Sequence, residues 1–256
     1  MIHSYIGIYA LPVKSDISTY QQPTSPAGPM RKKSPDRLDA IVEAALTCFS
    51  QAGYARTQMA DVARAAHVSA GTLYLYAASK EALLHLAVLK AAGEPLERLE
   101  LPFATQGLEA VNGLIRGIAG EEGLWPVLTK ALESGKAPSR AELQSIGAEL
   151  YDLLVPIRRA VWLLDKLVLD IPEIDQTYAD VMRGRYIADL SALIARLPGA
   201  ASPMEERLKA RMAIEIISWA AMHRRKESER HSFAPLSEED IRRTATAAFA
   251  ASFFSA

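Results

Sequence analysis

Cysteine is almost absent from this chain. Cys48 is the only one in 256 residues, so no intrachain disulfide and no cysteine-rich zinc site can form, which fits a reducing cytoplasm. Cys48 itself lies in an apolar helical pattern and reads as a structural thiol. Aromatic residues make up 7% of the chain and β-branched runs are scarce, which favours helix over sheet. No apolar run approaches the ~20 residues of a membrane-spanning helix. Pro12, Lys14 and Asp16 cut short any apolar stretch that would serve as a secretory signal.

The patterns that usually mark catalysis are missing too. There is no Gly-rich phosphate loop, no GxSxG, no HExxH, and no paired carboxylates beside a positioned nucleophile. The Glu121-Glu122 and Glu238-Glu239 pairs sit at expected helix starts, where they favour the helix dipole. His85, His223 and His231 have no metal-ligand spacing with one another or with carboxylates. An enzyme is therefore the disfavoured class, and neither a metal nor a cofactor is expected.

What is present is alanine, leucine and enough length. Half of the residues are hydrophobic, sufficient for one large domain or two small ones. The net charge of −1 is unevenly spread. Residues 31–90 carry eight Lys and Arg against five Asp and Glu, whereas 91–256 carry 20 against 24. A basic N-terminal third ahead of an acidic remainder is the asymmetry expected when only the first part meets a polyanion.

Residues 1–33 read as a disordered arm closing in "QQPTSPAGPMRKKSP". Met30 followed at once by Arg31, Lys32 and Lys33 reads as an alternative translation start; the competing reading is a basic arm that reaches phosphates or a minor groove, and the two are compatible. Ser34-Pro35 starts a helix as N-cap and first-turn proline. Leu38, Ile41, Val42, Ala45, Leu46 and Phe49 then recur at three- and four-residue steps up to Gly53. Thr57 is placed to cap a short second helix with Val62, Ala63 and Ala66 inward. A three-residue turn, His67-Val68-Ser69, leads to a third helix capped by Ser69 and running through Tyr76. Ser79 caps a fourth, with Leu83, Leu84, Ala87 and Val88 inward. Further helices are expected at about 106–119, 124–133, 139–169 (bent or broken near Pro156), 174–196, 204–226 and 237–254. The fold class is all-α.

Two short helices joined by a tight turn, the second capped by a serine, describe a helix-turn-helix. The second helix of such a pair enters the major groove by its N-terminal residues. Here those are Ser69, Ala70, Gly71 and Thr72, small enough for close approach, with Thr72 able to reach a base by hydroxyl or methyl. Tyr74 and Tyr76 splay about 200° apart on a helix, so one can meet DNA while the other points elsewhere. Lys80 is placed to neutralise a phosphate. The candidate DNA-binding set is Thr57, Ser69, Ala70, Gly71, Thr72, Tyr74, Tyr76 and Lys80; the competing reading makes the tyrosines a seam between helices.

From about Arg37 to Lys90 the chain resembles the tetracycline-repressor (TetR) family of bacterial regulators. The matching residues are Phe49, Gly53-Tyr54, Thr57, Asp61-Val62-Ala63, Val68-Ser69, Gly71-Thr72-Leu73-Tyr74 and Ser79-Lys80-Glu81-Ala82-Leu83. Two positions depart from the family pattern. His67 stands where the family usually has a turn glycine, and Ala77 where it usually has an aromatic. Histidine is among the residues that tolerate a left-handed backbone, so the turn is expected to survive.

The resemblance implies a DNA-binding domain at 34–78 and a helical ligand-binding and dimerisation domain at 79–256. It also implies a homodimer that binds double-stranded DNA, paired through about 204–226 and 237–254 as a four-helix bundle. The first of those helices offers Leu208, Met212, Ile216 and Trp219 with Ala213 and Ala220; the second offers Ile241, Ala245, Ala248, Phe249 and Phe253. Ordinary intrachain core is the alternative for both stripes. The candidate effector residues are Trp125, Tyr151, Arg158, Trp162, Asp165, Tyr178, Met182 and Arg185, with Tyr186 beside them. Arg158, Trp162 and Asp165 share one helical face and suit an apolar ligand with one polar handle; a packed tryptophan among surface charges explains them equally. The expected function is a ligand-responsive, sequence-specific repressor released from a palindromic operator by an unidentified small molecule. The alternative is a regulator whose second domain recognises a protein.

Overall fold

A computed structural model describes residues 35–119, 125–199, 202–223 and 236–254. The arm at 1–33 with Met30 and Arg31 to Lys33, the cap Ser34, the Glu121-Glu122 pair and His231 lie outside the described residues. Every regular element described is helical, and one isolated bridge joins Ala77 to Phe103. Compactness divides the chain into two units, Met1–Gly120 and Glu121–Ala256.

In the first unit, α1 (Pro35–Ala52) buries Leu38, Ile41, Val42, Ala45, Leu46 and Phe49, the stripe that the three- and four-residue steps predict. It ends at Gly53, whose φ of 85° is a backbone angle that costs glycine little. α2 (Met59–Ala65), α3 (Ala70–Tyr74) and α4 (Lys80–Ala91) follow. α4 was expected to show one inward stripe, yet Ala82 through Val88 are all buried. It packs on α1 along one side and on α5 (Leu108–Ala119) along another, so α4 and α5 fall within the first compact unit. Lys90, near the end of α4, pairs with Asp39 and lies 3.8 Å from Glu43 on α1. Cys48 is half-buried, and burial raises its thiol pKa, as befits a structural thiol.

The second unit holds α6 (Pro126–Glu133), α7 (Arg140–Leu167), α8 (Pro172–Thr177), α9 (Gly184–Ile194), α10 (Pro203–Ser218) and α11 (Glu238–Ala251). Two π-helical segments interrupt the regular winding: Tyr178–Arg183 joins α8 to α9, and Trp219–His223 extends α10. α7 runs through Pro156 as one continuous helix, so of the expected bend or break no break occurs. Ser139, Ser202 and Ser237 cap α7, α10 and α11, each accepting the N–H three residues on. α6 is held at both ends by distant side chains. A carboxylate oxygen of Glu149 accepts the Val127 N–H at 2.7 Å, and Arg196 Nη1 donates to Leu132 O at 3.1 Å near its C-terminus.

α7 and α11 form the most extensive helix pairing of this unit. A Cβ at Gly147 would sit 2.8 Å from Phe249 Cδ1, so the phenylalanine ring rests on bare helix backbone. Around it, Tyr151 donates to Glu238 Oε1 at 2.9 Å, and Arg242 makes a two-pronged pair with Asp152 at 2.8 and 2.6 Å.

Part of the expected dimer stripe faces this intrachain seam, while Ala248 of α11 is exposed and Ile216 and Phe253 are half-buried. Ile241, Ala245 and Phe249 of α11, and Ala213 and Ala220 of the α10 region, are buried within the protomer. Meanwhile Met204, Leu208, Met212 and Trp219 are exposed. Periodicity finds both stripes, but an intrachain partner for α11 can be recognised only when Gly147 is seen against Phe249.

Candidate nucleic-acid interface

The reader is built from the turn outward. α2 begins at Gln58, whose N–H is accepted by Asp61 Oδ2 at 3.0 Å. Thr57 was expected to be that cap. It is instead 2% exposed, with its hydroxyl donating to Gly53 O at 2.7 Å, so it closes the α1–α2 connection and leaves the DNA-binding set. α2 ends in a turn where His67 takes a φ of 55°, the left-handed conformation that its position requires. The chain then enters α3 through Ser69, whose Oγ accepts the Thr72 N–H at 3.1 Å and lies 2.8 Å from Thr72 Oγ1.

α3 is shorter than expected, ending at Tyr74 rather than Tyr76. Leu73 anchors it in the core, while Ser69, Ala70, Gly71 and Tyr74 are exposed and Thr72 is half-buried. Tyr74 is 49% exposed; Tyr76 is 4% exposed and is withdrawn from the surface. The two phenols do splay as their spacing demands, one into solvent and one into the core. Sequence reasoning missed Leu75, which is 55% exposed immediately beside Tyr74.

A segment from the α4–α5 connection supports the end of the reader. Ala78 N–H donates to Phe103 O at 2.8 Å, and Phe103 N–H donates to Tyr76 O at 2.8 Å. Ala77, fully buried, therefore lies under a main-chain bridge at the position where the family usually has a ring. The Phe103 ring meets His85 edge-on at 5.2 Å, and His85 Nδ1 lies 3.0 Å from Thr105 Oγ1. Burial lowers the His85 pKa to about 4, so the imidazole is neutral near pH 7.

Lys80 opens α4 after the cap Ser79, whose Oγ accepts the Ala82 N–H at 3.1 Å. Its ammonium lies 4.2 Å from the centroid of the Tyr54 ring and 3.5 Å from Ala55 O. Tyr54 donates to Glu81 Oε1 at 2.6 Å. Burial, then that bond, raises the Tyr54 pKa, while the same bond lowers that of Glu81. The cation that was expected to meet a phosphate is thus oriented by an aromatic ring, whose own direction is fixed by a carboxylate.

The eight effector candidates do not form one lining. Trp125 is buried, donates from Nε1 to Ile146 O at 3.1 Å, and meets Tyr186 edge-on at 5.8 Å. Tyr151 is buried and bound to Glu238. Both belong to the packed core and not to a cavity wall. Arg158, Trp162 and Asp165 are half-buried along α7. Tyr178 accepts from Arg183 Nη2 at 3.2 Å, with that guanidinium over its ring. Burial raises the Tyr178 pKa, Arg183 opposes the rise and Asp165 adds to it, which brings Asp165 and Tyr178 into one electrostatic neighbourhood. Arg185 faces Asp189 at 3.9 Å, and the Met182 side chain lies outside the described residues. A surface concavity of about 340 Å³ is lined by Asp36, Arg37, Ala40, Ala66, His67 and Val68, none of them among the eight. Among the described residues no cluster of His, Cys, Asp and Glu has the makings of a metal site, and no helix is long and apolar enough to cross a membrane.

A capped reading helix, a left-handed turn before it and small exposed residues at its start define a helix-turn-helix DNA-binding protein. Residues 41–87 match the model of the bacterial regulatory proteins, tetR family, so this stretch of the chain carries the DNA-binding domain of that family. The "Fatty acid metabolism regulator protein" of Bacillus subtilis (strain 168) is 34% identical over 71 residues, 28% of this chain and 36% of that protein. The match thus spans about a third of that relative's length. Among solved structures, a TetR-like transcriptional regulator from Rhodococcus sp. RHA1 is 17% identical with a TM-score of 0.46, covering 86% of this chain and 96% of its own. The fatty acid degradation regulator FadR from Bacillus halodurans is 16% identical with a TM-score of 0.41, covering 86% and 97%.

Proposed function

We propose that the protein is a homodimeric repressor that binds a palindromic operator and leaves it when a small molecule binds the second unit. The observation that carries this reading is α3 itself: capped by Ser69, anchored by Leu73, and presenting Ala70, Gly71, Thr72 and Tyr74 outward. The DNA-contact set that follows is Ser69, Ala70, Gly71, Thr72, Tyr74 and Lys80. The dimer reading is supported by the outward stripe of α10, where Met204, Leu208, Met212 and Trp219 are exposed apolar residues at steps of four, four and seven. Two reading heads held by one dimer engage half-sites about one helical turn of DNA apart, or a multiple of that.

An effector releases DNA only by preferring a conformation in which the heads no longer match those half-sites. Effector and operator therefore weaken each other by the same factor. The π-helical segment at Tyr178–Arg183, with Asp165 near it, is the region to search for the effector, because such bulges frequently accompany binding sites. A second reading, in which the second unit recognises a protein, is favoured by the burial of Trp125 and Tyr151 in its core.

The deciding experiment is a gel shift with the DNA upstream of the protein's own gene. A retarded complex with two protomers per site is expected, and no complex at any protein excess overturns the reading. A thermal-shift panel of acyl compounds, drugs and metabolites then separates a small-molecule effector from a protein partner. Acyl compounds come first because of the name of the Bacillus subtilis relative.

A further inference from the structure

Among the described residues of the first unit, Tyr74 and Leu75 are the only large apolar side chains left exposed. They are adjacent, at the end of α3. Tyr74 carries a hydroxyl that can satisfy itself in water or on a phosphate. Leu75 has no polar atom beyond its backbone, so its exposure on a surface built to meet a polyanion needs a different partner.

Leu75 is the C-cap of α3, with φ −74° and ψ −15°, and its N–H donates to Thr72 O at 3.1 Å, three residues back. Gly71, near the start of α3, is bare: a Cβ there would meet nothing nearer than Ser69 Oγ at 4.0 Å, and the Leu75 side chain lies farther off. The exposed leucine leaves an apolar patch one residue wide at the end of the reading helix. In the major groove the base-pair edge feature that suits such a patch is the C5-methyl of thymine, since the remaining edge groups are hydrogen-bond donors and acceptors.

We propose that Leu75 is a specificity-determining residue that seats on a thymine methyl, so that the operator carries thymine at one fixed position in each half-site. The inference rests on the proposed DNA-binding function and names what one residue of that interface reads. Tyr74 and Lys80 hold the backbone and set register; Leu75, with Thr72, reads base edges.

The test uses the full-length protein and the operator found by gel shift. Each thymine is replaced in turn by deoxyuridine, which removes only the methyl. At one symmetry-related position the parent protein is expected to lose about fourfold in affinity per half-site, the worth of one buried methyl. Leu75→Ala is expected to lose operator affinity, leave binding to random DNA and the salt slope unchanged, and become indifferent to deoxyuridine at that position. Circular dichroism confirms that the variant is folded. The proposal is overturned if no deoxyuridine position affects the parent, or if the sensitive position stays sensitive in Leu75→Ala. It is also overturned if Leu75→Ala weakens operator and random DNA alike, which marks a sugar-backbone contact. Each of these outcomes leaves operator binding by the parent intact. Failure of the parent to bind any DNA is a different result and removes the DNA-binding function together with the proposal.

Discussion

Tyr54 donates a 2.6 Å hydrogen bond to Glu81, joining the end of α1 to the first turn of α4 across 27 residues. The phenol is further held by Phe49, whose ring centroid is 6.0 Å away, and it carries Lys80 above its face. Removing only the hydroxyl tests this chain of support. Tyr54→Phe keeps the ring and loses a bond to a charged acceptor, so it should cost about 1–2 kcal/mol in urea unfolding. Glu81→Gln should cost no more than this, because an amide oxygen still accepts. A Tyr54→Phe variant as stable as the parent would show that water replaces the carboxylate without loss.

The proposed DNA surface separates into residues that position and residues that read. Lys80→Ala should weaken binding to all sequences alike and flatten the salt dependence by about one unit per protomer. Thr72→Ala should cost about 1–3 kcal/mol on the operator and little on random DNA, with the salt slope unchanged. Tyr74→Phe should lose roughly 1 kcal/mol of DNA affinity without loss of stability. Tyr76→Ala should instead destabilise the fold by about 3 kcal/mol or more, because its ring is buried. If Thr72→Ala, Lys80→Ala and Tyr74→Phe together bind the operator as the parent does, the interface has been placed on the wrong surface.

These assignments show what a sequence can and cannot carry. The α1 stripe, the Ser69 and Ser79 caps and the left-handed turn at His67 were legible because each depends on local chemistry: spacing, a hydroxyl before a helix, a residue that tolerates positive φ. The helix bounds beyond residue 105 were legible within a few positions for the same reason, and Ser139-x-x-Glu142 and Ser202-x-x-Glu205 would have sharpened two of them. Thr57 shows the limit of that local chemistry, because a hydroxyl before a helix can turn inward to Gly53 O as readily as forward. The burial of Tyr76 and Phe249 depends on tertiary packing that spacing does not reveal, in the case of Phe249 against Gly147, more than 100 residues earlier. The support of the reader by residues 103–105 left no periodic signal at all, since two main-chain hydrogen bonds need no particular side chain.

For the dimer, the two long C-terminal helices make opposite predictions. Met212 is 60% exposed, so Met212→Asp should leave the protomer folded and abolish both dimer and operator binding. Phe249→Asp places a carboxylate in the α7–α11 seam, where nothing compensates it, and should unfold the second unit. Size-exclusion chromatography with light scattering, alongside circular dichroism, checks both. A parent protein that is monomeric at tens of micromolar would overturn the dimer.

His85 predicts a pH dependence with a definite sign. Its folded pKa of about 4 lies below the ordinary histidine value of 6.5, because burial against Phe103 and Thr105 disfavours the cation. The unfolded chain therefore binds the extra proton between those values. Stability due to the neutral imidazole is fully present above pH 6.5, falls as the pH drops toward 4, and is flat below. His85→Phe should remove that slope, so its stability relative to the parent should rise steadily from pH 7 to pH 4.5. Parallel urea titrations that give a constant difference across this range would place His85 in contact with water.

Two glycines within helices separate helix propensity from packing. Alanine in place of glycine inside a helix gains about 1 kcal/mol from backbone propensity. At Gly113 in α5 no described atom lies within 4 Å of an added Cβ, so Gly113→Ala should stabilise the protein by roughly 0.5–1 kcal/mol. At Gly147 the same methyl would meet Cδ1, Cγ and Cβ of Phe249 at 2.8, 3.0 and 3.3 Å. The ring has little freedom to retreat, since it is fully buried and meets Phe253 edge-on at 5.3 Å. Overpacking a core typically costs about 1–3 kcal/mol, which outweighs the propensity gain, so Gly147→Ala should be net destabilising by about 1 kcal/mol. Phe249→Leu should relieve the clash, and the double variant should be more stable than the two single losses predict by addition. If Gly147→Ala is stabilising by itself, the α7–α11 seam is looser than the ring-on-backbone contact implies.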